Sequence, residues 1–209
     1  MLSALVPNDF PIDRFDGTAW IGVVPFRMRD VAPRGVPALP WLSAFPELNV
    51  RTYVRVADKP GVYFFSLDAA NPLAVRAARL MLNLPYFSAT MNVDRTHDGI
   101  VSYRSRRRSD DRAAELVASY YPDGPAFAPR IGTLDYFLTE RYCLYARDHR
   151  DRPYRLEIHH PPWPLQPARA DLQRNSMAAA AGVTLPSVAP LLHFVSRQDM
   201  VAWPRESLR

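Results

Sequence analysis

Residues 48–57 alternate strictly between two sets of side chains, which is the period of a β-strand. One set, here the Leu48 face, consists of Leu48, Val50, Thr52, Val54 and Val56. The other set, the Glu47 face, consists of Glu47, Asn49, Arg51, Tyr53 and Arg55. Residues 58–61 carry Asp, Pro and Gly in suitable places for a turn, and residues 62–67 resume as a strand. The pattern therefore predicts a β-hairpin.

A helix is predicted to follow this hairpin, with Asn71 as its N-cap and Pro72 at the first helical position. Its predicted apolar stripe is Leu73, Ala77, Leu80, Met81 and Leu84. Residues 86–93 then alternate again as a strand. Tyr86, Ser88, Thr90 and Asn92 form its polar face, and Phe87, Ala89, Met91 and Val93 form its apolar face. A further strand is predicted over residues 100–107 after an Asp-Gly turn.

The remaining segments are mostly short strands. We predict strands at residues 18–28, 141–147, 154–160 and 191–196, helices at residues 113–121, 133–138 and 169–181, and an irregular loop over residues 31–46. Because the strands outnumber the helices and occur mostly as hairpins, the fold class is α+β and mainly β. The sheet is expected to be antiparallel or mixed, and it could close into a barrel with a few flanking helices.

Composition narrows the functional classes. The 209 residues suit a single domain, predicted to span residues 1–209. The longest apolar run is too short to cross a membrane, no signal peptide is recognisable, and Cys143 is the only cysteine. We therefore expect a cytoplasmic protein without membrane contact. The net charge of +5 comes from arginine, since Lys59 is the only lysine, and this skew does not by itself predict nucleic-acid binding.

The Glu47 face is the main candidate for chemistry. On an open sheet it would face water, whereas inside a closed barrel Glu47 and Arg51 would form a functional pair, with the cation lowering the pKa of the carboxyl group. No metal site is expected, because the histidines lack converging ligands. The basic run Arg104–Arg108 is interpreted as a solvated strand end, with a phosphate-bearing ligand as the alternative.

Several segments resemble the bacterial YqjF-like family, whose function is unknown. The matching segments are residues 15–26 (FDGTAWIGVVPF), 47–54 (ELNVRTYV), 61–67 (GVYFFSL), 134–142 (LDYFLTERY) and 159–165 (HHPPWPL). The resemblance covers nearly the whole chain. It also implies that this chain is N-terminally short, because family members begin with an extra segment.

The YqjF-like family is in turn distantly similar to acetoacetate decarboxylases. That similarity implies a barrel-like antiparallel sheet around a small-molecule cavity. In the decarboxylases a Schiff-base lysine follows a proline, and here Tyr86 follows Pro85 at the matching place. The conserved glutamate of that group would match Glu47.

Together these observations predict a small-molecule-binding domain, or an enzyme acting on a small organic acid without Schiff-base lysine chemistry. The candidate ligand-binding residues are Glu47, Arg51 and Tyr86, with no cofactor. If both polar strand faces point into one interior, Glu47 and Tyr86 should share a cavity. A homo-oligomer is compatible with the sequence, and nucleic acid is not expected as a partner. The alternative is a non-catalytic structural or protein-interaction module whose polar faces are merely solvated.

Overall fold

The computed structural model describes residues 2–29, 44–108 and 113–208 of the chain. Most of the predicted loop over residues 31–46 therefore lies outside the described residues. Its last two residues, Phe45 and Pro46, already belong to a strand.

The described residues form a large mixed β-structure with few helices. The strands are β1 (Arg14–Phe15), β2 (Thr18–Ala19), β3 (Ile21–Met28), β4 (Phe45–Val56), β5 (Lys59–Ala69), β6 (Tyr86–Arg95), β7 (Val101–Arg107), β8 (Glu115–Pro122), β9 (Cys143–Arg147), β10 (Pro153–His159), β11 (Gln166–Asn175), β12 (His193–Phe194) and β13 (Val201–Ser207). The α-helices are α1 (Pro72–Leu82), α2 (Leu134–Thr139) and α3 (Met177–Ala180), and a 3₁₀ turn spans Leu2–Ala4. None of the helices in these ranges is long and apolar enough to span a lipid bilayer.

Eleven of the described strands belong to one sheet that branches at β5. The predicted hairpins are confirmed, because β4 pairs antiparallel with β5 and β9 pairs antiparallel with β10. On its other edge β5 pairs in parallel with two strands, with β9 at Val62–Tyr63 and with β6 at Leu67–Ala69. One arm continues through β6, β7, β8, β11 and β12, and the other through β9, β10 and β13.

The predicted closure of the sheet into a barrel is wrong. Closure would require the outermost strand of an arm to pair with β3, but β3 pairs only with β4 among the described strands. The physical reason lies at β5. Strands β9 and β6 pair with different parts of the same edge of β5, so the sheet continues as two separate arms.

Strand β4 is covered on both faces. On the Leu48 face, Leu48 and Val50 pack with Tyr103, Leu116 and Ala118 of β7 and β8. On the Glu47 face, the covering side chains come from β5, β6 and the segments around α1 and α2. They include Leu67, Leu84, Tyr86 and Phe137 packed with Tyr53, and Val75 packed with Phe45. The polar face is therefore buried at Glu47, Asn49 and Tyr53 and half-buried at Arg51, and it reaches the surface only at Arg55.

Two predicted helices are strands instead. Residues 113–121 form most of β8, and residues 169–181 form most of β11 followed by the short helix α3. The two strands pair antiparallel with each other from Ala168↔Pro122 to Asn175↔Leu116. Pairing across the sheet thus overrides the helix propensity of the alanine-, leucine- and arginine-rich segment.

Helix α1 begins where it was predicted to begin, but a different side of the helix is buried. The Asn71 Oδ1 atom accepts hydrogen bonds from the backbone N–H groups of Leu73 and Ala74. Most of the predicted stripe does not pack on the sheet, since Leu73, Leu80 and Met81 are 55%, 72% and 68% exposed, whereas Leu84, just after the helix, is buried. The buried side of the helix instead carries Val75.

The turn of the first hairpin lies earlier than predicted. Val56 pairs with Lys59, so Ala57 and Asp58 form a two-residue turn, and both have positive φ, at 47° and 63°. Gly61 therefore lies within β5. A Cβ atom there would come within 2.7 Å of the Cys143 carbonyl oxygen, so this glycine permits the close approach of β9.

Candidate functional site

Glu47 is a buried carboxylic acid near the start of β4. Its side chain is 3% exposed, and the Tyr86 hydroxyl donates a hydrogen bond to its Oε2 atom over 3.1 Å. Burial raises the pKa of Glu47 to about 7; the hydrogen bond from Tyr86 opposes this shift, and the negative charge of Asp68 adds to it. Near neutral pH, Glu47 is therefore a mixture of the protonated and the ionised form.

Tyr86 reaches Glu47 because β6 begins directly beside the end of β5. The parallel pairing Leu67↔Tyr86 directs the tyrosine toward the Glu47 face. The Arg79 Nε atom donates to the Tyr86 carbonyl oxygen over 2.6 Å, which fixes the first residue of β6 against α1. Burial, and then the neighbouring Glu47, raise the pKa of Tyr86, so its hydroxyl acts as a hydrogen-bond donor.

Beyond Glu47, the same face carries polar atoms that no described protein group satisfies. Asn49 is 5% exposed, and its Oδ1 atom has no hydrogen-bond partner. The Nε atom of Arg51 and the indole Nε1 atom of Trp20, which packs against the Tyr53 cluster, are likewise buried without a partner. Such atoms are rare in folded proteins, and each costs about 1–3 kcal/mol. The Glu47 face therefore keeps one acceptor and two donors available.

The structure does not bring Glu47 and Arg51 together, contrary to the predicted pair. Arg51 instead donates from Nη2 to the Leu138 carbonyl oxygen over 3.4 Å. The reason is the strand geometry, because four residues of extended chain separate the two Cα atoms by about 13 Å. The pKa of Glu47 is accordingly raised rather than lowered. Gly22 of β3 pairs with Arg51, and a Cβ atom there would lie 3.3 Å from the Tyr53 hydroxyl oxygen and 3.5 Å from the Arg51 Nε atom.

A buried ion pair near Glu47 was missed by the sequence interpretation. Arg107 Nε and Nη2 donate to Asp68 Oδ1 and Oδ2 over 2.7 and 2.9 Å, and the guanidinium lies 3.9 Å from the centre of the Phe87 ring. Arg107 is 6% exposed, so the prediction of a solvated strand end is wrong for this residue. The alternation of Val101, Tyr103, Ser105 and Arg107 was the available signal, because it places Arg107 on the buried face of β7.

A second missed cluster joins two of the segments that carry the family resemblance. Glu140 accepts hydrogen bonds from the Tyr142 hydroxyl and from the backbone N–H of Trp163, the latter over 3.1 Å. The His160 ring stacks on Tyr142 with centroids 4.5 Å apart. These contacts join residues 134–142 to residues 159–165 inside the fold.

The polar face of β6 enters the interior only at its beginning. Tyr86 meets Glu47, whereas Thr90 and Asn92 are exposed and Met91 and Val93 pack into the core. Two surface depressions formed by described residues, of about 400 and 480 Å³, are lined by neither Glu47 nor Tyr86. The cavity predicted between two polar strand faces is thus reduced to one close contact.

Comparison with known sequences assigns the chain to a family. Residues 1–199 match the family DUF2071, described as an uncharacterized conserved protein. The chain is 46% identical over 204 residues to the uncharacterized protein YqjF of Bacillus subtilis (strain 168), covering 98% of this chain and 83% of that protein. The chain therefore belongs to the DUF2071 family, as the resemblance indicated.

Comparison with solved structures identifies the fold. Acetoacetate decarboxylase from Legionella pneumophila is similar over 100% of this chain and 79% of its own, with a TM-score of 0.63 and 12% identity. The enduracididine biosynthesis enzyme MppR complexed with pyruvate is similar over 99% of this chain and 82% of its own, with a TM-score of 0.58 and 10% identity. An acetoacetate decarboxylase-like enzyme from Sphingomonas wittichii RW1 gives a TM-score of 0.53 at 13% identity, covering 96% and 80% of the two chains. The fold is therefore acetoacetate decarboxylase-like.

Proposed function

We propose that this DUF2071 protein binds a small organic acid on the Glu47 face, between the Glu47–Tyr86 pair and Arg51. The observation that carries the proposal is a buried, hydrogen-bonded acid on the same strand face as buried polar atoms of Asn49 and Arg51 that lack partners among the described residues. The alternative, an interaction module without a ligand, requires this face to be solvated. The 3% exposure of Glu47 favours binding instead.

The side chains of the Glu47 face suit a carboxylic acid that also carries a carbonyl or hydroxyl group. The Arg51 guanidinium suits a carboxylate, because it offers parallel N–H donors. The Tyr86 hydroxyl and the protonated form of Glu47 can donate to a carbonyl or hydroxyl oxygen, and Asn49 supplies an acceptor. Supporting this choice, a protein of the same fold, MppR, has been crystallised with pyruvate.

A catalytic version of this proposal uses Glu47 as the general base. A carboxyl group whose pKa lies near 7 can accept a proton from the carbon next to a ligand carbonyl and return it. Tyr86 would hold the carbonyl oxygen while the negative charge develops there. The expected signature is exchange of the pyruvate methyl protons with deuterated solvent, observed by NMR and abolished in Glu47→Gln.

Schiff-base chemistry is excluded from this proposal by the position of the only lysine. Lys59 forms an ion pair with Glu157 and begins β5, whereas Ala69, the β5 residue paired with Glu47, ends it. Ten residues of strand separate the two ends by about 33 Å. We predict that borohydride reduction in the presence of pyruvate leaves no adduct on Lys59 by mass spectrometry. An adduct that disappears in Lys59→Arg would contradict this.

Calorimetric titration of the full chain with pyruvate and with the longer 2-oxoglutarate tests the binding proposal. Arg51→Gln should weaken binding by about 10- to 100-fold, because it removes a charge-assisted hydrogen bond, and Tyr86→Phe by about 3- to 10-fold. Affinity should also fall as the pH rises through 7, because ionised Glu47 repels the ligand carboxylate. In Glu47→Gln this pH dependence should be lost.

The matched control is Tyr63→Phe, which removes a hydroxyl group in a cluster with Phe10 and Phe65, away from Glu47. Its affinity for both acids should equal that of the wild type. The proposal fails if neither acid binds at millimolar concentration. It also fails if Arg51→Gln and Tyr86→Phe bind as tightly as the control.

A further inference from the structure

Arginines are concentrated on the outer surface of the arm formed by β6, β7, β8 and β11. In β7 the side chains of Tyr103, Ser105 and Arg107 are buried, whereas Arg104 and Arg106 are exposed. Two residues apart on one strand, Arg104 and Arg106 lie about 7 Å from each other on the same face.

Strand pairing adds a third arginine to this surface. In register, Arg104 pairs with Val117 of β8, and Val117 pairs with Arg174 of β11. The register shift between Leu172 and Arg174 is what keeps Arg174 in this row, because without the extra residue the alternation would turn it inward. Val117 thus forms a small apolar floor with an arginine on each side, about 10 Å apart across two strand spacings.

The same residues line a surface depression of about 480 Å³. Its polar lining consists of Thr90, Asn92, Arg104, Arg106, Gln173 and Arg174, together with Ser105 and Glu115. The depression therefore combines three guanidinium groups with neutral hydrogen-bonding side chains.

The charges in the depression are not balanced by described residues. Glu115 accepts a hydrogen bond from Arg174 Nη1 over 3.0 Å. Within the described ranges of the chain, neither Arg104 nor Arg106 forms an ion pair or a hydrogen bond through its side chain. Two further carboxylates, those of Asp94 and Asp171, lie outside the lining and accept hydrogen bonds from Asn92 Nδ2 and Gln173 Nε2. Within the lining itself, three arginines against one carboxylate leave two positive charges, which a dianion would neutralise.

We propose that this depression is a binding site for the phosphate group of a small phosphorylated molecule. The Arg104 and Arg106 guanidinium groups provide the paired donors that a phosphate accepts. The Thr90 hydroxyl, which accepts from Arg108 Nε, can still donate, and Asn92 and Gln173 each keep a second amide N–H beside the one given to Asp94 or Asp171. A small molecule fits better than a nucleic acid, because none of the described residues lining the depression is aromatic and could stack on a base. This site is separate from the Glu47 face and does not depend on the function proposed there.

Calorimetric titration of the full chain with pyrophosphate and with glycerol phosphate at low salt tests the site. The double variant Arg104→Gln/Arg106→Gln should bind both probes at least tenfold more weakly than the wild type. Val117→Glu, which places a carboxylate on the floor, should have the same effect without removing an arginine. Its unfolding midpoint shows whether the fold is intact.

The control is Arg130→Gln/Arg150→Gln, which removes the same charge at exposed positions outside the depression. It should bind both probes like the wild type. Equal weakening in the control would mean that only net charge matters and would overturn the proposal. The proposal also fails if neither probe binds, or if a single-stranded decanucleotide at 150 mM salt binds more tightly than both. Keto-acid affinity should be unchanged in Arg104→Gln/Arg106→Gln, whatever the outcome at the Glu47 face.

Discussion

The buried carboxyl groups of Glu47 and Asp68, on the neighbouring strands β4 and β5, have hydrogen-bond partners of different charge. Asp68 faces Arg107 across a bidentate pair at 2.7 and 2.9 Å, so a permanent cation compensates its charge. Glu47 faces the neutral hydroxyl of Tyr86, and no cation among the described residues is in hydrogen-bonding contact with it. Burial raises the pKa of both carboxyl groups. At Asp68 the hydrogen bond and the charge of Arg107 oppose the shift, whereas at Glu47 the hydrogen bond from Tyr86 opposes it and the pKa reaches about 7, so Glu47 can exchange a proton near neutral pH.

This difference predicts a pH-dependent stability. In the unfolded chain the pKa of Glu47 is near 4.5, and in the folded protein it is about 7. The folded state therefore binds the proton more tightly, and the stability contributed by Glu47 falls as the pH rises from about 4.5 to about 7, by about 3 kcal/mol. Glu47→Gln removes this loss. The free energy of unfolding of the variant should therefore rise relative to that of wild type between pH 4.5 and about pH 7, and the difference should stay constant at higher pH.

Urea denaturation of both proteins at pH values from 4 to 8.5 measures the difference. Glu206→Gln serves as the control, because Glu206 is an exposed residue of β13. The difference in free energy of unfolding between Glu206→Gln and wild type should change much less with pH than the difference between Glu47→Gln and wild type. A constant difference between Glu47→Gln and wild type across the range would contradict the raised pKa.

At the residue scale, the sequence predicted the members of a face but not their contacts. Alternation placed Glu47 and Tyr86 each on a polar face, and the structure joins the two by a hydrogen bond. The Asp68–Arg107 pair could not be predicted in the same way, because it depends on the parallel pairing of β5 with β6. That pairing joins segments separated by a helix, and local patterning carries no signal for it.

At the element scale, strands were predicted as helices because the same residues fit both the 3.6-residue period of a helix and the two-residue period of a strand. Residues 169–175 contain helix-forming residues, but Ala168, Ala170 and Leu172 also alternate, and only pairing with β8 decides between the two. For α1 the capping signals were sufficient to predict its start, since Asn71 accepts from two backbone N–H groups. The sequence does not determine which face of α1 packs on the sheet. Val75 and Leu82 lie on one apolar face, and the predicted stripe forms another.

Gly61 gives a test at the junction of β5 and β9. In Gly61→Ala the new Cβ atom would meet backbone and ring atoms, the Cys143 carbonyl oxygen and Tyr145 Cε2, both at 2.7 Å. We expect a loss of about 1–3 kcal/mol or more in the free energy of unfolding, because neither neighbour is a flexible chain end. Gly22→Ala should cost much less, since its nearest contacts, at 3.3–3.5 Å, are side-chain atoms of Tyr53 and Arg51. Equal losses in the two variants, measured by urea denaturation, would contradict this account.

At the scale of the whole molecule, the branching at β5 determines where the site lies. Because β6 and β9 share one edge of β5, the Glu47 face is covered by side chains and short helices rather than enclosed by a closed barrel. The sequence predicted the fold class through its hairpins, and the resemblance predicted the acetoacetate decarboxylase-like fold. Closure could not be decided in advance, because it depends on which strands meet at β5, and those contacts are long-range.

The Asp68–Arg107 pair fastens the longer arm to this branch, since Asp68 lies on β5 and Arg107 reaches it from β7 past the ring of Phe87. Asp68→Asn and Arg107→Met should each cost about 3–5 kcal/mol, because each removes one half of a buried ion pair. The double variant should cost clearly less than the sum, since both charges are then absent. In the exposed pair Arg169–Asp123, removal of either partner should cost far less, because solvent screens both charges, and the two losses should be nearly additive. Additive losses at Asp68 and Arg107 in urea denaturation would show that the pair does not hold the arm.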